Sequence, residues 1–383
     1  MRPETGDALF FIRSTMRGAD NKSVGTLLVY RVAVDDEGPT GPVTPFADLS
    51  SLYEPDEAEI DFLTCQPGGN RVLVTVGRRE RMMNKGWWSE LWLLGDDGSL
   101  ARDSAFGRDI GPAQVAWSPD GLRLLLEANP MKDAGSVYLY ELDKDTAVKL
   151  EGGLEVPAGA GGGTLYWTHG GHYAQLMSII ISNSSDHAII SAGKLQTFDV
   201  TGPVPKLVSD RELDDLVADA VDPSGGIVYA AALRQAEGAG ALPYGLYRLD
   251  ASGPSTDPVM VGRFALSVDQ PERIGDLALL PPNGAEDTGP RAVVTAYDGE
   301  SHKLLLVDMS TPGATEVWQL SPVGMDARRP QVVGDLLVFM TVPSTNMKAT
   351  PADVPGGLTV ISLASLTVEK LAADGRFSKL PVP

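Results

Sequence analysis

The sequence predicts an all-β fold, a seven-bladed β-propeller made of four-stranded antiparallel blades. Three observations support this prediction: a unit that recurs about every fifty residues, turn signals at fixed places within the unit, and short apolar runs between those turns. The clearest copy reads QVAWSPDGLRLLLEA (114–128) followed by SVYLYELDKDTAVKL (136–150), which predicts four strands joined by turns. Four-stranded units repeated at this period are the sequence signature of a propeller.

The turn between the first and second strands is the most regular marker of the unit. Glycine with Asn or Asp supplies the positive φ angles that such a turn needs, and proline fixes the backbone at its start. The turn occurs six times, as QPGGN (66–70), SPDG (118–121), THGG (168–171), DPSGG (222–226), PPNG (281–284) and Gly334-Asp335. We therefore place a first strand before each turn and a second strand after it.

The third strands give an independent count of the blades. They are predicted seven times, as LLVYRV (27–32), ELWLLG (90–95), VYLYEL (137–142), LQTFDV (195–200), GLYRLD (245–250), LLLVDM (304–309) and LTVISL (358–363). Seven third strands against six turns indicate that the first blade begins at its second strand, ALFFIR, and lacks its innermost one. The C-terminal segment GRFSKLPVP (375–383) is predicted to complete that blade, which closes the ring and removes the free edge.

The domain organisation follows from this repeat. Residues 1–383 are predicted to form a single propeller domain, since no linker or change of composition interrupts the repeat. The predicted blades are 375–383 with 1–50, then 51–105, 106–153, 154–208, 209–262, 263–319 and 320–374. A single domain of this length suits a propeller because its core is spread between neighbouring blades.

The composition excludes several kinds of partner. A formal net charge of −20 and a pI of about 4.5 disfavour nucleic acid and anionic membranes. No run of about eighteen apolar residues is present, so no membrane span is predicted. Cys65 is the only cysteine, which excludes a disulfide within the chain and any site built from several cysteines. We predict no cofactor and no bound metal.

One copy of the repeat carries a resemblance to a known group. Trp117-Ser118-Pro119-Asp120-Gly121, an apolar strand and then VYLYELD resemble the repeat of TolB-like, WD-like bacterial propellers. The resemblance implies an extracytoplasmic protein with a binding role, which is periplasmic, at the cell surface or secreted. A similar repeat occurs in the propeller domains of prolyl oligopeptidase-type peptidases. The sequence has no GxSxG motif, so peptidase activity is not implied.

Histidines in one turn provide the candidates for catalysis. His169 and His172 flank the glycines of THGGH, with His187 further along the chain. Neutral imidazole binds transition metals and accepts protons near neutral pH, which suits a metal site or a general base. No third ligand accompanies the pair, so a turn of unusual composition is the favoured interpretation. The alternative function is a propeller enzyme (a hydrolase, lactonase or lyase) with its site at the mouth of the central channel.

Four of the loops between second and third strands share a composition that the other blades lack. Each contains a methionine followed by lysine or arginine, and blades seven, one, two and three are neighbours in the predicted ring. We name these candidate partner-binding residues the basic loop arc: Met16, Arg17, Arg79, Arg81, Met82, Met83, Lys85, Trp87, Trp88, Met131, Lys132, Met347 and Lys348. Methionine adapts to binding surfaces, and tryptophan and arginine are enriched at interface hot spots. The alternative is an inherited methionine that fills the gap between neighbouring loops.

The sequence therefore favours a non-enzymatic binding or scaffold propeller that docks a protein partner through the basic loop arc. No catalytic residue is assigned, and a small-molecule ligand in the central channel is compatible with the same fold. The expected location is extracytoplasmic, with a leader outside the given sequence, or cytoplasmic if Met1 is the native start.

Overall fold

The computed structural model is almost entirely β-sheet over the residues that it describes. These residues are 8–17, 22–54, 57–67, 71–78, 88–102, 112–128, 136–144, 146–150, 163–183, 189–214, 216–221, 227–233, 244–250, 259–264, 273–281, 289–297, 301–310, 315–322, 325–343, 357–367, 370–371 and 378–380. The chain divides into two compact units. The first comprises Met1–Asp35, Pro39–Ser178 and Gln196–Val208, and the second comprises Asp36–Gly38, Ile179–Leu195 and Ser209–Pro383. No helix in the described part of the chain is long and apolar enough to cross a membrane.

The first four sheets follow the chain in order. The first sheet contains β1 (Ala8–Arg17), β2 (Lys22–Asp35), β3 (Gly38–Pro39) and β4 (Thr44–Asp48), with β3 and β4 both paired to β2. The second contains β5 (Ala58–Cys65), β6 (Val72–Arg78), β7 (Trp88–Leu94) and β8 (Leu100–Arg102). The third contains β9 (Pro112–Trp117), β10 (Arg123–Ala128), β11 (Ser136–Glu141) and β12 (Thr146–Lys149). The fourth contains β13 (Gly163–Thr168), β14 (Tyr173–Asn183), β15 (Ile189–Asp199) and β16 (Lys206–Asp214).

The remaining sheets belong to the second unit. The fifth contains β17 (Leu216–Val221), β18 (Ile227–Leu233), β19 (Tyr244–Asp250) and β20 (Val259–Phe264). The sixth contains β21 (Arg273–Leu280), β22 (Arg291–Tyr297), β23 (His302–Asp308) and β24 (Glu316–Gln319). A three-stranded sheet contains β25 (Met325–Val333), β26 (Leu336–Pro343) and β27 (Gly357–Ser362), and the C-terminal strand is β28 (Ser378–Leu380). Neighbouring strands with a described register are antiparallel, as the repeat predicts.

Within each unit, consecutive sheets face one another and bury apolar side chains between them. In the first unit, Leu125 of the third sheet is in one buried cluster with Leu165 and Trp167 of the fourth, and Trp167 Nε1 donates to Ala116 O at 3.0 Å. In the second unit, Leu306 of the sixth sheet is buried in one cluster with residues of the three-stranded sheet. A core divided between successive four-stranded antiparallel sheets is that of a β-propeller. Trp167, in the first strand of the fourth sheet, thus packs between the third and fourth sheets.

The elements predicted from the repeat are present. All seven predicted third strands overlap observed strands, namely β2, β7, β11, β15, β19, β23 and β27, of which β2 and β15 begin five or more residues earlier than predicted. Three of the predicted turns have the positive φ that calls for glycine: 68° at Gly121, 65° and 89° at Gly170 and Gly171, and 58° at Gly334. Cys65 is buried, and its burial raises the pKa of the thiol.

The predicted number of blades is wrong: the structure has six blades, not seven. The six are the sheets with four or more strands, and β25–β27 has only three within the described residues. After β27 the chain forms a 3-10 turn, Leu363–Ser365, and Leu363, Leu366 and Leu371 are buried in the cluster beneath it. Apolar side chains therefore draw this segment into the core at the place where the repeat predicts a fourth strand.

The predicted closure of the first blade is also wrong. β28 pairs with β24, with Trp318 opposite Lys379 in the register, and the sixth sheet thus has a fifth strand. The ammonium of Lys379 lies 2.8 Å from Glu316 Oε1 and 5.8 Å from the centre of the Trp318 ring. The cation of Lys379 matches this edge, where a carboxylate and an aromatic ring are presented together. The C-terminal strand therefore covers an outer edge and does not complete the blade that contains β1.

Deleting residues 378–383 should leave the protein folded. A three-residue edge strand contributes a few hydrogen bonds and one exposed ion pair, so the free energy of unfolding should fall by about 2–4 kcal/mol. Urea denaturation measures this loss, and Lys379→Ala alone should cost less than about 1 kcal/mol. Insoluble or unfolded protein after the deletion would contradict the assignment of β28 to an outer edge.

Candidate functional site

Most of the basic loop arc lies outside the described residues. Met16 and Arg17 lie in strand β1, opposite Ser23 and Lys22 of β2, and not in a loop as the sequence predicted. Trp88 begins β7. The side chains of these three residues are outside the description, as are Arg79, Arg81, Met82, Met83, Lys85, Trp87, Met131, Lys132, Met347 and Lys348 altogether. The arc therefore stays a prediction.

The histidines of the THGGH turn do not form a described site. His169 begins a 3-10 turn that ends at Gly171, and His172, which follows it, is exposed. The side chain of His169, and His187 entirely, are outside the description. Within the described part of the chain, no group of three or more His, Cys, Asp and Glu side chains is arranged to hold a metal ion.

A different site forms in the second unit, beginning at an irregularity in β25. The pairing of β25 with β26 shifts between Arg328 and Gln331, so Arg329 and Pro330 together face Phe339. Proline has no backbone N–H and cannot donate a hydrogen bond to the neighbouring strand, which favours a bulge at this position. Arg329 has a φ of 54° and, among the described residues, is the only one other than glycine with a positive φ. Such strained backbone is concentrated at functional sites.

A second bulge lies in the facing strand of the sixth sheet. The pairing of β21 with β22 shifts between Ile274 and Leu277, so Gly275 and Asp276 together face Thr295. The Asp276 amide donates to Thr295 Oγ1 at 2.8 Å, and the Thr295 hydroxyl donates to Asp276 Oδ2 at 3.1 Å. The same carboxylate oxygen accepts the amide of Arg329 at 3.2 Å. Asp276 thus links the two bulges and supports the strained residue.

Beside these bulges, one carboxylate holds an imidazole and a guanidinium. Asp326 Oδ1 accepts the His302 amide at 2.5 Å and lies 2.9 Å from His302 Nδ1. Asp326 Oδ2 lies 2.7 Å from Arg328 Nε and 2.6 Å from Arg328 Nη2. Since both oxygens accept from fixed donors, the ring of His302 and the guanidinium of Arg328 are both oriented before any ligand arrives.

The electrostatics of Asp326 determine which nitrogen of His302 carries a proton. Burial opposes ionisation of Asp326, but the hydrogen bonds from the His302 amide, Arg328 and the His302 ring, with the charge of Arg328, hold its pKa below the usual value. An ionised carboxylate only accepts hydrogen bonds, so Nδ1 of His302 donates. In the neutral imidazole, Nε2 is then the unprotonated nitrogen, which accepts protons or hydrogen bonds.

Both side chains that Asp326 orients reach solvent. The Arg328 side chain is 56% exposed and the His302 side chain is 27% exposed. The ring of Tyr297 lies 4.9 Å from the imidazole, centre to centre, and covers part of it. A methyl group added at Gly275 would lie 3.9 Å from His302 Cδ2 and 3.0 Å from Thr295 Oγ1, so the absence of a side chain at residue 275 leaves open the ring edge beside Nε2 on that side. No described residue donates to Nε2.

Sequence reasoning missed this site because its parts are far apart in the chain. His302 lies at the start of β23, with no other candidate catalytic residue beside it in the sequence. Asp326 and Arg328 lie near the start of β25, and Asp326 is 24 residues from His302. Register brings them together: His302 pairs with Tyr297, Tyr297 pairs with Arg273, and β25 packs against β21 and β23. The signal that was available is the run MDARRP, a carboxylate beside two arginines and a proline at the start of a strand.

Comparison with known proteins supports the fold. The sequence matches no protein-family model and no curated protein. The structure is similar to that of Drosophila Semaphorin 2a, with a TM-score of 0.50 and 9% identity over 95% of this chain and 76% of that chain. It is also similar to a periplasmic gluconolactonase of Pseudomonas aeruginosa, with a TM-score of 0.49 and 14% identity over 95% of this chain and 87% of that one. Dipeptidyl peptidase 4 of Porphyromonas gingivalis gives a TM-score of 0.48 and 10% identity over 97% of this chain and 53% of that one. At such identities the first similarity supports the β-propeller fold alone.

Proposed function

We propose that this propeller binds a small molecule carrying a carboxylate or phosphate group, at the site formed by His302, Asp326 and Arg328. The observation that supports the proposal is the bridging carboxylate of Asp326, which fixes a guanidinium on one oxygen and an imidazole on the other. Arg328 uses Nε and Nη2 for this contact, and Nη1 has no partner among the described residues. Planar guanidinium donors suit the oxygens of carboxylate and phosphate groups.

The surroundings also suit an anion. The chain carries a net charge of −20, and Arg328 brings an exposed cation to the Asp326 carboxylate that also holds His302. Asp326 has its charge offset by Arg328 and its oxygens occupied by donors, which reduces its repulsion of an incoming anion. Orientation of the donors before binding lowers the entropy lost when a ligand is held.

Calorimetric titration with succinate and with inorganic phosphate tests this function. Arg328→Gln should weaken binding of both anions about tenfold, because a charge-assisted hydrogen bond contributes about 1.5–3 kcal/mol. Arg248→Gln, at an exposed arginine of β19, is the matched control and should bind like the wild type. The proposal fails if neither anion binds, or if both variants lose the same affinity.

We also propose that the part of the basic loop arc that lies in the first unit, from Met16 to Lys132, docks a protein partner with an acidic surface. The sequence supports this second function, since the basic residues Arg13, Arg17, Lys22, Arg78, Arg79, Arg81, Lys85 and Lys132 are concentrated in or beside these loops of an acidic chain. Segments 79–87 and 129–135, both in the first unit, each connect the second and third strands of a sheet. The resemblance to TolB-like propellers supports an extracytoplasmic setting for such a partner.

Substitution of arc residues tests the docking proposal. Trp88→Ala should weaken the binding of a partner isolated with the wild-type protein by about 2 kcal/mol. Met83→Ala should weaken the same binding. The melting temperature of both variants should stay near that of the wild type. A fall of many degrees in both would show that these side chains pack between blades and would overturn the proposal.

A further inference from the structure

We infer that His302 is a general base for the hydrolysis of an ester within an anionic ligand, an inference that rests on the ligand-binding function proposed above. The geometry that supports it is the Asp326–His302 pair. The ionised carboxylate holds the proton on Nδ1 and leaves Nε2 as the basic nitrogen at the uncovered edge of the ring. An aspartate that orients a histidine in this way is a recurring arrangement for proton transfer in acyl transfer.

The remaining groups define the substrate class. Arg328 is fixed on the other oxygen of Asp326, so an anionic group bound to its free N–H groups lies close to the imidazole. A substrate with a carboxylate or phosphate at one end and an ester a few bonds away can then reach Arg328 and Nε2 together. Holding both groups in place supplies much of the advantage of an enzyme over solution.

The reaction needs water as its only co-reactant. A water oxygen adds to the ester carbonyl carbon while one of its protons passes to Nε2 of His302. The tetrahedral intermediate then collapses, the bond between the carbonyl carbon and the alcohol oxygen breaks, and the imidazolium returns the proton to that oxygen. The products are a carboxylic acid and an alcohol. Asp326 stays ionised throughout and acts as a positioning residue.

Water is inferred as the nucleophile because of what contacts the imidazole. A serine or cysteine nucleophile needs to lie within hydrogen-bond reach of the base. No described hydroxyl or thiol is hydrogen-bonded to Nε2 of His302, and Thr295, the hydroxyl nearest Gly275, is engaged by Asp276. Direct attack by water forms no acyl-enzyme, so hydrolysis should begin without a burst of released alcohol.

Two chromogenic esters of matched length test the inference: mono-4-nitrophenyl succinate, which carries a carboxylate, and 4-nitrophenyl butyrate, which does not. The wild type should hydrolyse the succinate ester with the higher kcat/KM. His302→Gln should lower kcat for it about 100-fold with KM within twofold, since general-base catalysis contributes at least that factor. Arg328→Gln should raise KM for the succinate ester and leave the butyrate ester unaffected. Arg248→Gln is again the control.

Chemical rescue separates catalysis from structure. Adding imidazole to His302→Ala should restore part of the lost rate, which a merely structural role would not allow. If the wild type binds succinate but hydrolyses its ester no faster than the buffer, the general-base inference is wrong and the binding function stands. If succinate and phosphate do not bind at all, both fail. An initial burst of nitrophenolate would overturn direct attack by water.

Discussion

Arg291→Met should destabilise the protein by about 3–5 kcal/mol, because it removes the cation from a buried ion pair and leaves the carboxylate behind. The side chains of Arg291 and Asp308 are 1% and 5% exposed, with Arg291 Nε 3.2 Å from Asp308 Oδ2. The Arg291 guanidinium also donates to the carbonyl of Leu366, in the segment that follows β27. The substitution therefore weakens both the ion pair and the anchoring of the 3-10 turn, Leu363–Ser365, that follows β27.

Urea denaturation measures this effect, and an exposed pair supplies the control. Lys144 contacts Glu141 while its side chain is 70% exposed, so Lys144→Met should change the free energy of unfolding by less than about 1 kcal/mol. If Arg291→Met lowers the free energy of unfolding no more than Lys144→Met does, other donors compensate the Asp308 carboxylate. The amide and hydroxyl of Ser310 already donate to it.

The strands were predictable because their signals are local. A glycine turn such as SPDG (118–121) and the apolar runs around it specify a hairpin without reference to the rest of the chain. The position of β28 was not predictable in this way. Ser378–Leu380 is three residues long and can pair with any open edge, and the choice of β24 depends on Glu316 and Trp318. The described chain after β27 forms no fourth strand, which likewise depends on burial of Leu366 and Leu371 and is not specified by a repeat pattern.

The candidate site shows the same limit more strongly. Sequence reasoning sought chemistry where residues cluster along the chain, at THGGH and in the basic loop arc. The described site instead combines single residues from two sheets, with Asp326 linking His302 to Arg328. The bulges that shape it depend on strand register, which becomes visible only when the partner strands are known.

Glu127→Gln should make the protein more stable at pH 8 and remove much of its loss of stability between pH 5 and pH 8. Glu127 lies in β10 with a relative exposure of 7%, and its Oε2 has no hydrogen-bond partner among the described residues. Its neighbour on the same face of the strand, Leu125, belongs to the buried cluster between the third and fourth sheets. Burial without a partner penalises the charged form and raises the pKa of Glu127 from 4.5 to about 7.

The direction of the effect follows from this raised pKa. Below pH 4.5 the carboxyl is protonated in both the folded and the unfolded chain, so no penalty arises. Between pH 4.5 and about 7 the unfolded chain releases the proton and the folded chain retains it, so stability falls as the pH rises, by about 3 kcal/mol in all. Glutamine has no proton to lose, so the stability of the variant should lack this slope.

Urea unfolding of both proteins at pH 5, 6, 7 and 8 measures the difference, which should grow with pH. Asp97→Asn is the control, because the hydroxyl and amide of Ser99 lower the pKa of Asp97 below 3.8. A lowered pKa affects stability only as the pH falls towards it, so the curve of the control should run parallel to the wild type above pH 5. If the free energy of unfolding depends on pH in the same way in Glu127→Gln and the wild type, the prediction is wrong. The carboxylate of Glu127 would then be hydrated or paired with a cation in the folded protein, and its burial would carry no penalty.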